Sequence, residues 1–118
     1  MNRNPGLEKA YAVAIRIVKL CAFLREEKRE FVMSKQLLRC GTSIGANLAE
    51  ASGALSEADL SAKVSIAYKE SQETKYWLSL LKDTGYLNEP IFRSVHGDVD
   101  EVSAILFATL RTTRLTKR

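Results

Sequence analysis

Leu37, Gly41, Ile44, Leu48, Ala51 and Leu55 follow one another at steps of four, three, four, three and four residues. Such spacing keeps side chains on one stripe of a helix and scatters them over both faces of a strand. The stretch is therefore a helix with a regular bundle seam. A second line on it, Gly41, Gly45, Ala49 and Gly53, is small at every step of four. Each glycine costs an isolated helix about 0.5–1 kcal/mol relative to alanine, so a neighbouring helix must offset the loss by approaching almost backbone to backbone. A hinge is the other reading of the same glycines.

Three more segments share the period. From about Leu7 to Glu27, the residues Ala10, Tyr11, Ala14, Ile17, Val18, Cys21 and Leu24 form an apolar stripe, followed by the charged corner 25–30 and by Phe31, Val32 and Met33, which should dip back to the core. Ser34 is the expected cap of the second helix. Ser56, with Asp59 three residues on, opens the third, whose seam is Leu60, Val64, Ala67, Ser71, Thr74, Leu78 and Leu81. Gly85 should end it in the left-handed conformation. Asn88 caps the fourth, with Glu89 and Pro90 in its first turn and Ile91, Val95, Val99, Val102, Leu106 and Thr109 on its inner stripe, widened by Phe92, Ile105 and Phe107. The two prolines, Pro5 and Pro90, stand at the edges of these patterns. Three short connections then predict an all-α, antiparallel up-down-up-down four-helix bundle. At 118 residues the chain reads as one domain, 1–118, with its core at 7–110 and a basic C-terminal tail at 111–118.

The formal charge of +4 is unevenly placed: residues 1–40 balance at +5, residues 41–80 at −2 and residues 81–118 at +1. Arg111, Arg114, Lys117 and Arg118 close the chain with no acid among them. Such a tail gathers phosphate charge, or complements the negative pole of a helix. No run of apolar residues is long enough to span a membrane and no secretory signal pattern is present, so a cytoplasmic protein without a membrane partner is expected. Cys21 and Cys40 fall in apolar surroundings, as buried free thiols do.

Gln36, Arg39, Ser43, Asn47 and Glu50 share one face of the second helix, and the third offers Lys63, Glu70 and Glu73 at comparable levels. A polar network that fixes register or a subunit contact is one reading; a ligand cleft or active site is the other. Catalytic signals are sparse. His96 is the single histidine and no cysteine stands near it in sequence, so neither a zinc set nor a nucleophilic pair is encoded locally. The Glu-x-x-His pairs of a di-iron bundle and a phosphate-binding loop are likewise missing, and no cofactor is expected. Tyr76 and Trp77 are adjacent, so one must face partly outward; with Tyr68 they read as ordinary boundary packing, as a subunit interface or as a surface for base stacking.

Ser34-Lys35-Gln36-Leu37-Leu38-Arg39, Thr42 to Ala51, Ile66 to Leu78, and Thr84-Gly85-Tyr86-Leu87 carry a resemblance. Together they resemble a bacterial four-helix-bundle family first noticed in proteins encoded within intervening sequences of 23S ribosomal RNA genes. Gln36, Leu37, Arg39, Ser43, Ile44, Asn47 and Glu50, then Ala67, Glu73 and Leu78, match its pattern, whereas many relatives have proline at Gly45 and glycine at Ala51. The resemblance covers about Leu7 to Leu110 and implies a homopentamer. It extends to the accessory protein of diversity-generating retroelements, which implies RNA or DNA and a reverse transcriptase as partners. The expected function is a non-enzymatic, self-assembling interaction scaffold that binds nucleic acid non-specifically. The alternative is a metal-dependent or small-ligand enzyme using the polar cleft between helices two and three.

Overall fold

Four helices, α1 (Pro5–Glu26), α2 (Met33–Ala51), α3 (Glu57–Asp83) and α4 (Glu89–Thr116), account for nearly all of residues 5–116, which the computed structural model describes, with side chains from 6 to 112. Each helix packs against two neighbours, in the cycle α1, α2, α3, α4 and back to α1. The result is the expected antiparallel up-down-up-down bundle, and no strand occurs among the described residues. Ile17, Leu24, Leu37, Ile44, Leu48, Leu78, Leu81, Val99 and Val102 are fully buried along its axis. Two polar levels interrupt this core without cost, because every group is paired. The Ser103 hydroxyl donates to Ser71 Oγ at 2.7 Å, Ser71 donates in turn to the Tyr68 carbonyl, and Thr74 donates to the Glu70 carbonyl.

The α1/α2 contact is close. A Cβ at Gly41 would stand 2.8 Å from Ile17 Cγ2, and one at Gly45 would stand 3.6 Å from the Ala10 backbone. The small line is only half used, since Ala49 is exposed and Gly53 lies in the turn beyond α2. This contact also selects which apolar stripe of α1 faces inward. Ala10 and Ile17 fit the glycines, so Leu7, Val13 and Leu20 complete the buried face, and Tyr11 and Val18, expected inside, are exposed. Seam residues at the bundle ends are corrected too. Leu55, 97% exposed, follows the end of α2; Leu60 and Ile91, in the opening turns of α3 and α4, and Thr109 are exposed as well.

The helix ends obey local chemistry. Ser56 Oγ accepts from Asp59 N at 3.0 Å and Asn88 Oδ1 accepts from Ile91 N at 2.9 Å. Gly85 has φ +88°, and the Tyr86 N–H closes back on the Leu81 carbonyl as in a Schellman end. The α1–α2 corner departs from expectation. Ser34 does not cap α2: the Glu30 carboxylate does, accepting from Val32 N (3.1 Å), Met33 N (3.0 Å) and Ser34 N (2.7 Å). Ser34 donates its hydroxyl to the Glu30 carbonyl instead. Glu30 is thereby drawn in to 7% exposure, and Phe31 and Val32 turn outward rather than into the core. Arg29, with φ 55°, reverses the chain just before the cap.

Two outcomes test these features. Gly41→Ala should destabilise by about 1–2 kcal/mol, the overpacking cost against Ile17 less the gain in helix propensity. Gly45→Ala finds room for its methyl group and should be neutral or stabilising by up to about 1 kcal/mol; urea unfolding of both variants reads the contrast. Burial acts to raise the Glu30 pKa, but the backbone N–H groups of Met33, Ser34 and Val32, with the Ser34 side chain, outweigh it and hold the carboxyl below its ordinary value. Its stabilisation is full above the unfolded carboxylate pKa of about 4.3. It is lost as pH falls through the lower folded value. Glu30→Gln should thus cost about 0.5–2 kcal/mol at neutral pH, and the gap to the parent chain should close on acidification.

Candidate functional site

Helices α2 and α3 bring the polar residues of their facing edges together. Arg39 pairs with Glu70 at 3.4 Å and with Glu73, and its Nε donates to Gln36 Oε1 at 3.4 Å. One turn apart, Ser43 donates to the Arg39 carbonyl and Asn47 Nδ2 to the Ser43 carbonyl. Glu50 pairs with Lys63 at 2.7 Å, and that hydrogen bond holds the Lys63 ammonium above its usual range. Trp77 Nε1 donates to Glu73 Oε2 at 3.0 Å. The network is open to solvent rather than buried, with the Arg39 side chain 49% exposed. Each carboxylate on it already has a cation, and among the described residues no group of three or more His, Cys, Asp or Glu is placed to hold a metal ion.

Other reactive groups are equally engaged. Cys21 and Cys40 are both buried and free; burial pushes the Cys21 thiol up to about 12 and raises Cys40 as well. Neither is a thiolate nucleophile at neutral pH. His96 is half-buried on the Phe92 ring, and its pKa is lowered chiefly by burial.

Two surfaces stand out from the paired ones. On α1, Tyr11, Ile15 and Val18 recur at four and three residues and are all exposed, an apolar stripe with no helix of this chain over it. On the α3/α4 side, Tyr68 and Phe107 meet at 5.9 Å between ring centroids and line two adjoining hollows of about 320 and 260 Å³. Tyr76 faces outward with its ring edge-on to Trp77, which packs on the core. Trp77 donates to Glu73 on the α2/α3 edge, and Tyr68 meets Phe107 on the α3/α4 edge. Of the basic residues near the C-terminus, Arg111 is exposed beside Tyr68 and Phe107. The side chain of Arg114, and Lys117 and Arg118 entirely, lie outside the described residues. Sequence periodicity did not single out the Tyr11, Ile15, Val18 stripe or the Phe107 groove, although the four-three spacing of the first was legible.

Comparison with known proteins gives one family. The family described as 23S rRNA-intervening sequence protein matches residues 4–108, close to the 7–110 span of the resemblance. A crystal structure of a protein with unknown function from the S23 ribosomal protein family of Bacteroides thetaiotaomicron is 47% identical, covers 89% of this chain and 97% of its own, and superposes with a TM-score of 0.88. No curated protein matches the chain.

The α2/α3 network yields a magnitude. Exposed ion pairs contribute about 0.2–1 kcal/mol each, so Glu50→Gln, which loses one pair, should shift the unfolding free energy of a single chain by no more than about 1 kcal/mol, and Arg39→Gln, which loses two, by no more than about 2 kcal/mol. A larger loss accompanied by a change in native mass would place this edge between subunits.

Proposed function

Since the chain belongs to the family of 23S rRNA-intervening sequence proteins, we propose that it is a non-enzymatic scaffold that assembles with copies of itself and presents basic surfaces to nucleic acid. The observation that carries the reading is the exposed stripe of Tyr11, Ile15 and Val18 on α1. Three large apolar side chains in one row on the outside of a small bundle favour burial against another molecule. A second copy is the occupant that needs no further component. A homopentamer is the form that the family resemblance implies, and a ring of this kind needs two different faces per chain, one meeting the other around the axis. Repetition also multiplies weak phosphate contacts that one chain of modest charge supplies poorly. A reverse transcriptase is the protein partner that the same resemblance implies, and the interior of the cell is where such a scaffold would act. The carboxylates of the α2/α3 edge support register rather than reaction, because Arg39 and Lys63 neutralise them.

Native mass spectrometry tests the assembly. The parent chain should appear as about five copies, and Ile15→Lys, which sets a charge in the apolar contact, should reduce the mass toward a single chain while helicity stays unchanged. A parent chain that runs as a monomer across the working concentration range would sink the scaffold reading.

A further inference from the structure

Each of the four edges of the bundle has its own character. The α1/α4 edge is closed by opposite charges, Lys9 with Glu101 and Arg16 with Asp98, and the α2/α3 edge by Arg39 and Lys63 with three glutamates. The α1/α2 edge is apolar, with Ile17 against Gly41 and Ala10 against Gly45. The α3/α4 edge alone combines aromatic rings with surplus positive charge. The residues lining its two hollows include Lys69, Lys75 and Arg111 against one acid, Asp100. Asp100 is already held by Lys75 at 3.0 Å, and that hydrogen bond keeps its carboxyl below the usual range. Lys69 and Arg111 are exposed and form no ion pair among the described residues, and they flank the hollow that Tyr68 and Phe107 share. Phe107 is 52% exposed, with its ring tilted 45° to that of Tyr68.

We propose that this α3/α4 groove binds a single strand of nucleic acid, with a base stacked on Phe107 beside Tyr68 and the flanking phosphates drawn to Lys69 and Arg111. The inference rests on the scaffold reading for the nature of the partner and goes beyond it in assigning a site and a strand state. Stacking needs an unpaired base, because the rings of a duplex are already stacked on one another, and an exposed aromatic flanked by unneutralised cations is what a single strand uses and a duplex does not. Gln72 and Ser65 on the groove wall offer hydrogen bonds to base edges or sugars. Every base has a face to stack, so the groove should tolerate any sequence.

Fluorescence anisotropy at low salt, with labelled oligouridylate and oligothymidylate of about 16 nucleotides and a duplex of equal length, tests the groove on the intact chain. Native mass and helicity of each variant are measured first. The single strands should bind more tightly than the duplex. Phe107→Ala should weaken them roughly ten- to hundredfold with the salt slope unchanged, whereas Lys69→Gln and Arg111→Gln should each lower that slope by about 0.7. Equal binding of the duplex together with an unaltered Phe107→Ala variant overturns the proposal, as does absence of binding by a correctly assembled chain. Loss of assembly in Phe107→Ala also overturns it, by showing that a second copy occupies the groove. Monomeric behaviour of the parent chain, read from its own native mass, is a failure of the scaffold reading; strand preference judges the groove in either state.

Discussion

The contact of Ile17 with Gly41 governs the arrangement of this bundle. A glycine lowers the intrinsic stability of a helix, and the loss is offset only if something occupies the space that a side chain would have filled. Here the Ile17 side chain does so, and one turn further along the Ala10 backbone lies over Gly45. With α1 seated this way, its rotation about its own axis is set. Leu7, Val13, Leu20 and Leu24 then fall on the inner side, and Tyr11, Ile15 and Val18 have nowhere to go but outward. The exposed stripe is thus a consequence of the close contact between α1 and α2, so the packing that stabilises the chain also sets which apolar residues it leaves on its surface.

Much of the fold was readable from local chemistry. Ser56, Gly85 and Asn88 act at the positions their side chains suggest, because a cap or a left-handed turn depends on a few adjacent residues. Seams on α2 and α3 were readable where each helix is covered on both sides, as at Leu37, Ile44, Leu48, Val64, Leu78 and Leu81. Legibility failed where the deciding partner was distant in sequence. On α1 apolar residues occur at too many angles for periodicity to choose a face, and the choice was made by glycines on α2. Leu55 and Leu60 continue their stripes beyond the end of α2, into and past the turn that follows it. At the α1–α2 corner, Ser34 looked like the cap by residue type, yet Glu30 has the reach to bond three successive N–H groups at once.

The candidate surfaces divide along the same line. The row Gln36, Arg39, Ser43, Asn47 and Glu50 lies on one helix and could be seen as a face; that Arg39 would reach both Glu70 and Glu73 while Lys63 took Glu50 required the register of α2 against α3. The α3/α4 groove gave no such hint. Tyr68 drew notice only beside Tyr76 and Trp77, and Phe107 only as a widening of the inner stripe of α4; the antiparallel pairing instead leaves Phe107 exposed and puts the two rings 5.9 Å apart. Arg111 drew notice as part of a basic terminus, but the hollow it lines also holds Tyr68, Phe107 and Lys69, brought there by two helices.

Charge neutrality supplies the remaining step. A net charge of +4 on a chain of this length is too small to bind nucleic acid by bulk attraction alone, and three of the four edges spend cations on internal ion pairs, the α3/α4 edge through Lys75 and Lys82. What matters is where the unspent charges lie. Lys69 and Arg111 sit on the edge that also exposes an aromatic ring, so a weak electrostatic field is joined there to a contact that does not fade with salt. In the proposed assembly through α1, a neighbouring copy that lies on other helices would leave that edge free and repeat the groove from one copy to the next. Each site need bind only weakly, because a strand held at one groove meets the next at high effective concentration. The apolar stripe and the aromatic groove would in that arrangement have separate roles, one setting the geometry of the array and the other supplying its contacts with the strand.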